Sequence, residues 1–335
     1  MKKFKMSYIV LAILVLTLML PKSFVVLATD NKTINISYSN KTPYDYPVKP
    51  GSDAWKNFKT HTEMVKACMI PDNILKNMTT DALTKTVMDY PLMIDMLALP
   101  TQYDGYQGIY CLFNGLQELA SRKDAVISLN NYKNNTPSSS SLVAETNGNL
   151  KSIFADALIS GITLSRNNTI PKMSSGVVPL ATSTYVYTPN RTAVAALYNK
   201  TWSDAMNTEA QLIAGQNQFS ITYPAATRLR GYNIKYNCHS YAWYNTSSTN
   251  LYWIDNPISY MTDGSYRSSS AVAGAKVFYD SALGQMFDHS AIAYNTPAGG
   301  SFDVTSKWGE SGLYQHALMY CPYADYSPTC SFYVR

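Results

Sequence analysis

The strongest constraint on this chain is a change of hydrophobic period part-way along it. Between residues 50 and 165, apolar side chains recur at the three-and-four spacing of amphipathic helices. From residue 184 onward they come in short runs rich in Tyr, Val and Thr, which suit strands. Residues 166–183 separate the two textures and carry Asn167, Asn168, Pro171, Ser174, Ser175, Gly176 and Pro179, a composition that reads as an interdomain linker. Helices followed by clustered strands imply an α+β fold with an antiparallel sheet. The expected organisation is a helical domain at 50–165 and a sheet-bearing domain at 184–335, a division that suits 335 residues.

Within the helical region, Trp55, Phe58, Val65, Cys68 and Met69 share one helical face, with Ser52 or Asp53 as the starting cap and Pro71 as the stop. Thr79 or Thr80 caps the next helix, through Leu83, Val87 and Met88. Ile109, Leu112, Phe113, Leu116 and Leu119 form the clearest stripe, and Arg122 with Lys123 suits the negative end of its dipole. A last helix is expected at Leu142–Leu158. In the second half, a hairpin turns around Pro189-Asn190 between Tyr185 and Tyr198. Helical segments are expected at Ser203–Gln216 and Cys238–Tyr244. Strands are expected at Ala275–Tyr279, Ser290–Tyr294, Ser301–Thr305 and Leu318–Tyr320.

The N-terminus reads as a signal peptide over residues 1–28. Lys2, Lys3 and Lys5 precede the uncharged run Tyr8–Leu20, and Val26 and Ala28 stand at the −3 and −1 positions of a cleavage site. Residues 29–49 read as a flexible lead-in. The protein is therefore expected outside the cell or at its surface, with no stable membrane span after cleavage. Lys2, Lys3, Lys5 and Lys22 are the only charges in residues 1–28. Removing those 4 from the 27 basic residues leaves 23 against 22 acidic ones, so the net charge falls from +5 to +1. No basic run points to nucleic acid. No phosphate loop or metal-ligand spacing is present, and neither a cofactor nor a metal is expected.

Five cysteines cannot all pair within one chain. If Cys321 bridges Cys330, and Cys68 bridges Cys111, then Cys238 is the free thiol. A nucleophilic cysteine needs an anion-favouring site, a base beside it and a group that orients the base. Asn237 suits a helix cap, so Cys238 is placed to open a helix whose amides face its sulfur. Of the four histidines, His61 takes a polar position on a helix and reads as a surface residue. His239 is adjacent to Cys238 and points elsewhere, His289 begins a strand, and His316 is the reserve base. Asp303 and Ser306 are the available orienting groups.

The ordered segments Asn237-Cys238-His239-Ser240-Tyr241-Ala242, Asp288-His289-Ser290-Ala291-Ile292 and Ser306-Lys307-Trp308-Gly309 resemble the compact papain-like cysteine peptidases and amidases of bacteria, the NlpC and CHAP types. The resemblance covers roughly Tyr223 to Tyr323. It implies a papain-like domain in which Cys238 attacks an amide carbonyl and His289 handles the proton. Ser306 then takes the place of the usual orienting Asn, and Trp308 shields that contact. Asn237 or Tyr232 supports the oxyanion, and the implied substrate is a peptide, a protein or cell-wall peptidoglycan. The alternative is a secreted, non-catalytic binding protein or adhesin on the same scaffold.

Overall fold

A computed structural model describes residues 40–135, 142–167, 181–295, 302–326 and 329–335. The signal-peptide reading lies outside these residues, as does most of the expected linker. Ser39–Arg335 forms one compact unit. Its architecture is mixed α+β, with helices in the first half and antiparallel sheets after them.

The helices are α1 (Asp53–Lys56), α2 (His61–Ala67), α3 (Asp72–Leu75), α4 (Thr80–Met88), α5 (Gln102–Leu112), α6 (Asn114–Ser121), α7 (Ala125–Asn135) and α8 (Leu142–Arg166). A 3-10 turn spans Met93–Ala98. Side-chain caps set several starts. Ser52 accepts from the Trp55 amide, and Thr79 from that of Ala82. The stretch expected as one helix around Trp55–Met69 is two, because Thr60 and Glu63 close a capping box that starts a new helix. The stripe from Ile109 to Leu119 also breaks, at Phe113, whose backbone is extended.

The second half contains β1 (Thr182–Tyr187), β2 (Ala193–Tyr198), α9 (Glu209–Thr222), β3 (Thr227–Arg230), β4 (Tyr252–Trp253), α10 (Ile258–Thr262), β5 (Arg267–Ser269), β6 (Lys276–Asp280), β7 (His289–Ala293), β8 (Asp303–Lys307), β9 (Leu313–Ala317) and β10 (Thr329–Val334). The expected β1–β2 hairpin is present, with β4 beside β2. The expected helix at Ser203–Gln216 instead starts after Thr208, which forms a capping box with Gln211. The strand expected at Leu318–Tyr320 is displaced to β9, five residues earlier. The large sheet runs β3-β9-β8-β7-β6-β10-β5, all antiparallel.

The two faces of this sheet do different work. Residues opposite one another across antiparallel strands share a face, and successive residues alternate. By register, Val277, Tyr279, His289, Ala291, Ala293, Val304, Ser306, Tyr314 and His316 lie on one face. Its apolar members join Trp55, Leu83, Phe113, Leu158 and Phe219 in the main core, so the helices and the sheet share one hydrophobic interior. The other face carries Phe278, Ser290, Ile292, Thr305, Lys307 and Leu313. Phe278 packs there with Trp243, Ile254 and Tyr260, and Leu313 with Tyr236 and Tyr241.

Candidate functional site

Cys238 opens a short helical segment that widens to a π turn over Ser240–Tyr244. Asn237 caps it as the sequence suggests, its side-chain oxygen accepting from the Ser240 amide at 3.0 Å. The same side chain ties the segment to the neighbouring chain: its amide donates to the Ile254 carbonyl at 2.6 Å. Asn237 thus holds the start of the helix in place, with both ends of its side chain engaged. Tyr232 stands apart at the surface, its hydroxyl bonded to Glu209 at the start of α9.

The Cys238 thiol is buried. Burial pushes it up to about 12, although the amides of Ser290, His239 and Cys238 itself and the ammonium of Lys307 all favour the thiolate. Lys307 is fully buried and donates to three carbonyls, those of Asn233, Gly309 and Ser311, at 2.9, 2.7 and 2.7 Å. Burial lowers its ammonium to about 7, against the opposing pull of Glu310 and Cys238.

His289 does not hydrogen-bond to Cys238. Both of its ring nitrogens are buried without a partner among the described residues. The ring stacks on Tyr323 at 3.8 Å with planes 7° apart, and meets Tyr279 edge-on at 5.2 Å. Burial, with His316 and His239 nearby, pushes it well below the ordinary histidine range. The residue that meets the Cys238 segment is its neighbour Ser290, on the opposite face of β7. The Ser290 hydroxyl lies 2.8 Å from Nδ1 of His239 and accepts from Nε1 of Trp243 at 2.9 Å. Burial drives His239 down to about 3, so the ring that meets the hydroxyl is neutral.

Ser306 and Trp308 do meet, with a different histidine from the one the resemblance implies. Trp308 donates to the Ser306 hydroxyl at 3.1 Å, and that hydroxyl lies 2.7 Å from Nε2 of His316. Nδ1 of His316 faces the Ala317 carbonyl at 2.9 Å, which assigns the proton to Nδ1 and leaves Nε2 to accept from Ser306. Burial lowers His316 to about 4. Gly309 follows in the left-handed region at φ +52, where a Cβ would come within 2.7 Å of the Ala98 carbonyl. Asp303 lies at the other end of β8 from Lys307, about 13 Å away along the strand, and takes a hydrogen bond from Gln315 at 3.4 Å.

Two buried charged clusters escaped the sequence reading. His61 is not a surface residue: it is 0% exposed, with Nε2 at 2.8 Å from Asp95 and Nδ1 at 2.6 Å from Asp325. Tyr223 donates to the second Asp95 oxygen at 2.7 Å. Burial opposes a charge on His61, but the two carboxylates override it and raise the ring to about 9. The usable signal was Asp95 itself, a lone acid inside the apolar run Leu92–Leu99. In the second cluster, Glu310 accepts from Lys200 at 3.0 Å and from the amides of Met206 and Asn207, while the Lys200 ammonium rests 3.8 Å from the centre of the Trp253 ring.

All five cysteines are free thiols, so neither suggested disulfide is formed. Among the described residues, no group of His, Cys, Asp and Glu is arranged to hold a metal, and no helix is long and apolar enough to cross a membrane. Comparison of the chain with family models, with curated proteins and with solved structures found no match.

Proposed function

We propose that this chain is a secreted, non-catalytic binding protein on a papain-like scaffold, in which Cys238 and His289 are core residues. The scaffold reading rests on the order of parts: a helix opened by Cys238 lies against an antiparallel sheet that supplies His289 and then Ser306, with Trp308 just past the end of β8. The observation that carries the non-catalytic reading is the alternation of β7. Ser290 faces the Cys238 segment, while His289 faces the core and stacks on Tyr323. A thiol pushed up to about 12 and an imidazole pushed far down supply neither a nucleophile nor a base near neutral pH.

The test is thiol reactivity. The mature protein, treated with iodoacetamide near neutral pH and mapped by mass spectrometry, is expected to carboxymethylate Cys238 no faster than free cysteine. Faster labelling there overturns the reading.

The cysteine-hydrolase reading has one specific observation in its favour. Three amide donors and a lysine ammonium favour a thiolate at Cys238. It requires a rearrangement that brings a histidine nitrogen to the sulfur. Amide or peptide hydrolysis that disappears in Cys238→Ser and persists in Cys68→Ser would establish it.

A further inference from the structure

The cluster around Glu310 brings together an amine, a carboxylate and a primary amide, and the binding reading uses none of them. Lys200, Glu310 and Asn207 are 4%, 3% and 7% exposed. Nζ of Lys200 donates to Oε1 of Glu310 at 3.0 Å, and Nδ2 of Asn207 donates to Oε2 at 3.2 Å. One carboxylate therefore holds both nitrogens. The chain sets this up locally. Lys200 follows β2, and Asn207 precedes the Thr208 cap of α9. Between them the chain turns back: the Thr201 amide donates to the Asp204 carboxylate at 2.6 Å, and the Asp204 amide to the Thr201 carbonyl at 2.9 Å. Glu310 enters from the turn between β8 and β9, and the amides of Met206 and Asn207 fix its carboxylate at 3.0 and 3.1 Å.

The surroundings confine the amine. The Trp253 ring covers one side of it, with its centre 3.8 Å from Nζ. The other charged groups in reach are engaged elsewhere. Lys307 gives its protons to the carbonyls of Asn233, Gly309 and Ser311. Asp255, raised by burial and lowered by Trp253 and Lys200, accepts from the Trp253 indole at 2.9 Å. Water is excluded, and in a dry site a lysine ammonium hands a proton to a bonded carboxylate at far smaller cost than in solution, because the neutral pair needs no hydration. The neutral amine is a nucleophile. An amide held on the same carboxylate meets it at high effective concentration.

We propose that Lys200 and Asn207 join in an intramolecular isopeptide bond, with Glu310 carrying the protons. Lys200 gives one proton to Glu310, and the lone pair so released attacks Cγ of Asn207. Glu310 passes that proton to Nδ2 and takes a second one from Nζ. The Cγ–Nζ bond forms, the Cγ–Nδ2 bond breaks, and ammonia leaves. The ammonia takes the remaining proton as it departs, so Glu310 ends as a carboxylate. In sum an ammonium and a primary amide become a secondary amide and an ammonium ion, with no oxidant or reductant. The bond would clamp the turn between β2 and α9 covalently in a chain whose cysteines are all free thiols. It is independent of the binding reading, since nothing in it depends on the state of Cys238.

The test is a tryptic map of the purified mature protein by mass spectrometry. Trypsin needs an unmodified lysine, so the peptide Thr192–Arg228 should appear uncut after Lys200. It should weigh about 17 Da less than its sequence, one ammonia, and its fragment ions should join residues 200 and 207. Glu310→Gln should restore cutting after Lys200 and the full mass. Asn207→Asp should keep the cross-link but lose water instead, about 18 Da. Circular dichroism shows which variants are folded, and the wild-type map stands whether or not they are. The proposal is overturned if the folded wild type is cut after Lys200 and both products carry their full mass. It is overturned equally if the ammonia loss persists in Lys200→Arg, because Asn207 would then be closing on its own backbone. A cross-link formed undiminished in folded Glu310→Gln would overturn the role given to the carboxylate.

Discussion

The helical half and the large sheet treat the same residue in opposite ways. All four histidines are buried, at 0% to 4% exposure. His61, at the start of α2, sits between two carboxylates and is raised to about 9. His239 and His316 receive a serine hydroxyl, His289 receives only aromatic rings, and all three are pushed down. Depth of burial is the same, so the partner decides the charge. The sheet also repeats itself: Trp243, Ser290 and His239 on one face, and Trp308, Ser306 and His316 on the other, form two tryptophan–serine–histidine chains. A serine hydroxyl carries no charge to offset desolvation, so the two imidazoles it meets stay neutral.

The comparison can be broken most forcefully at His61. His61→Ala removes the cation that Asp95 and Asp325 both bond, and should cost about 3–5 kcal/mol, the range for breaking a buried ion pair. His316→Ala should cost less, about 1–3 kcal/mol, because it removes only neutral hydrogen bonds. Urea unfolding of the two variants measures both. Equal costs would show that the carboxylates do not distinguish the sites.

The pH dependence follows with opposite signs for the two classes. For His61 the folded value, about 9, lies above the unfolded 6.5. Its contribution is therefore full below pH 6.5 and is lost as pH rises toward 9, by roughly 1 kcal/mol per unit. For His239 and His316, folded values of about 3 and 4 lie below 6.5. The unfolded chain binds the extra protons, so stability falls as pH drops below 6.5. Lys307, lowered to about 7, works against His61 on the alkaline side, since the unfolded chain holds that proton longer. The clean measurement is thus a difference. His61→Gln should make stability rise more with pH between 6.5 and 9 than it does in wild type, because the Lys307 contribution is then unopposed, and His316→Gln should flatten the curve between pH 4 and 6.5. A His61→Gln curve that runs parallel to wild type in its window would remove the assigned charge.

A finer cut compares the two serines. Ser306→Ala leaves the Trp308 N–H and the His316 Nε2 without partners, and Ser290→Ala does the same to Trp243 and His239. Each should cost about 1–3 kcal/mol, the penalty for stranding buried polar groups. Ser290 lies beside the Cys238 segment and Ser306 on the far face. A cost confined to Ser290 would mark the Cys238 side as the one under selection for more than packing.

How much of this was legible depended on the range of the interactions involved. Caps are local, so Ser52, Thr79 and Asn237 were readable from their own neighbourhoods, and so was the β1–β2 hairpin. The order of Cys238, His289, Ser306 and Trp308 was readable too. Which face each would take was not. Moving β7 by one residue, from the expected Ser290–Tyr294 to His289–Ala293, does not change the alternation, but no pattern in the sequence said which alternate set would meet the Cys238 helix. One set is His289, Ala291 and Ala293 and the other is Ser290 and Ile292, each pairing a polar residue with apolar ones, and both faces of the sheet are covered. His61 was misjudged for the same reason. Its partners come from positions 95 and 325, and nothing within one helical turn announces them.

The smallest expected effect is the most discriminating. His289→Phe keeps a planar ring for Tyr323 and Tyr279 to pack against, and deletes two nitrogens that have no partner. Replacing unpaired buried polar atoms with an apolar group of similar shape is close to neutral or stabilising. The variant should therefore unfold within about 1 kcal/mol of wild type, on either side, and should lose the acid-side protonation penalty that His289 carries. A cost well above that range would mean that the His289 ring does hold a hydrogen bond in solution. The thiol of Cys238 would then be the first partner to test, since the Ser290 amide that donates toward the sulfur belongs to the very next residue. In that event His289→Phe should also change the rate at which iodoacetamide labels Cys238. With the ring facing the core as it does here, that rate should stay where it is in wild type.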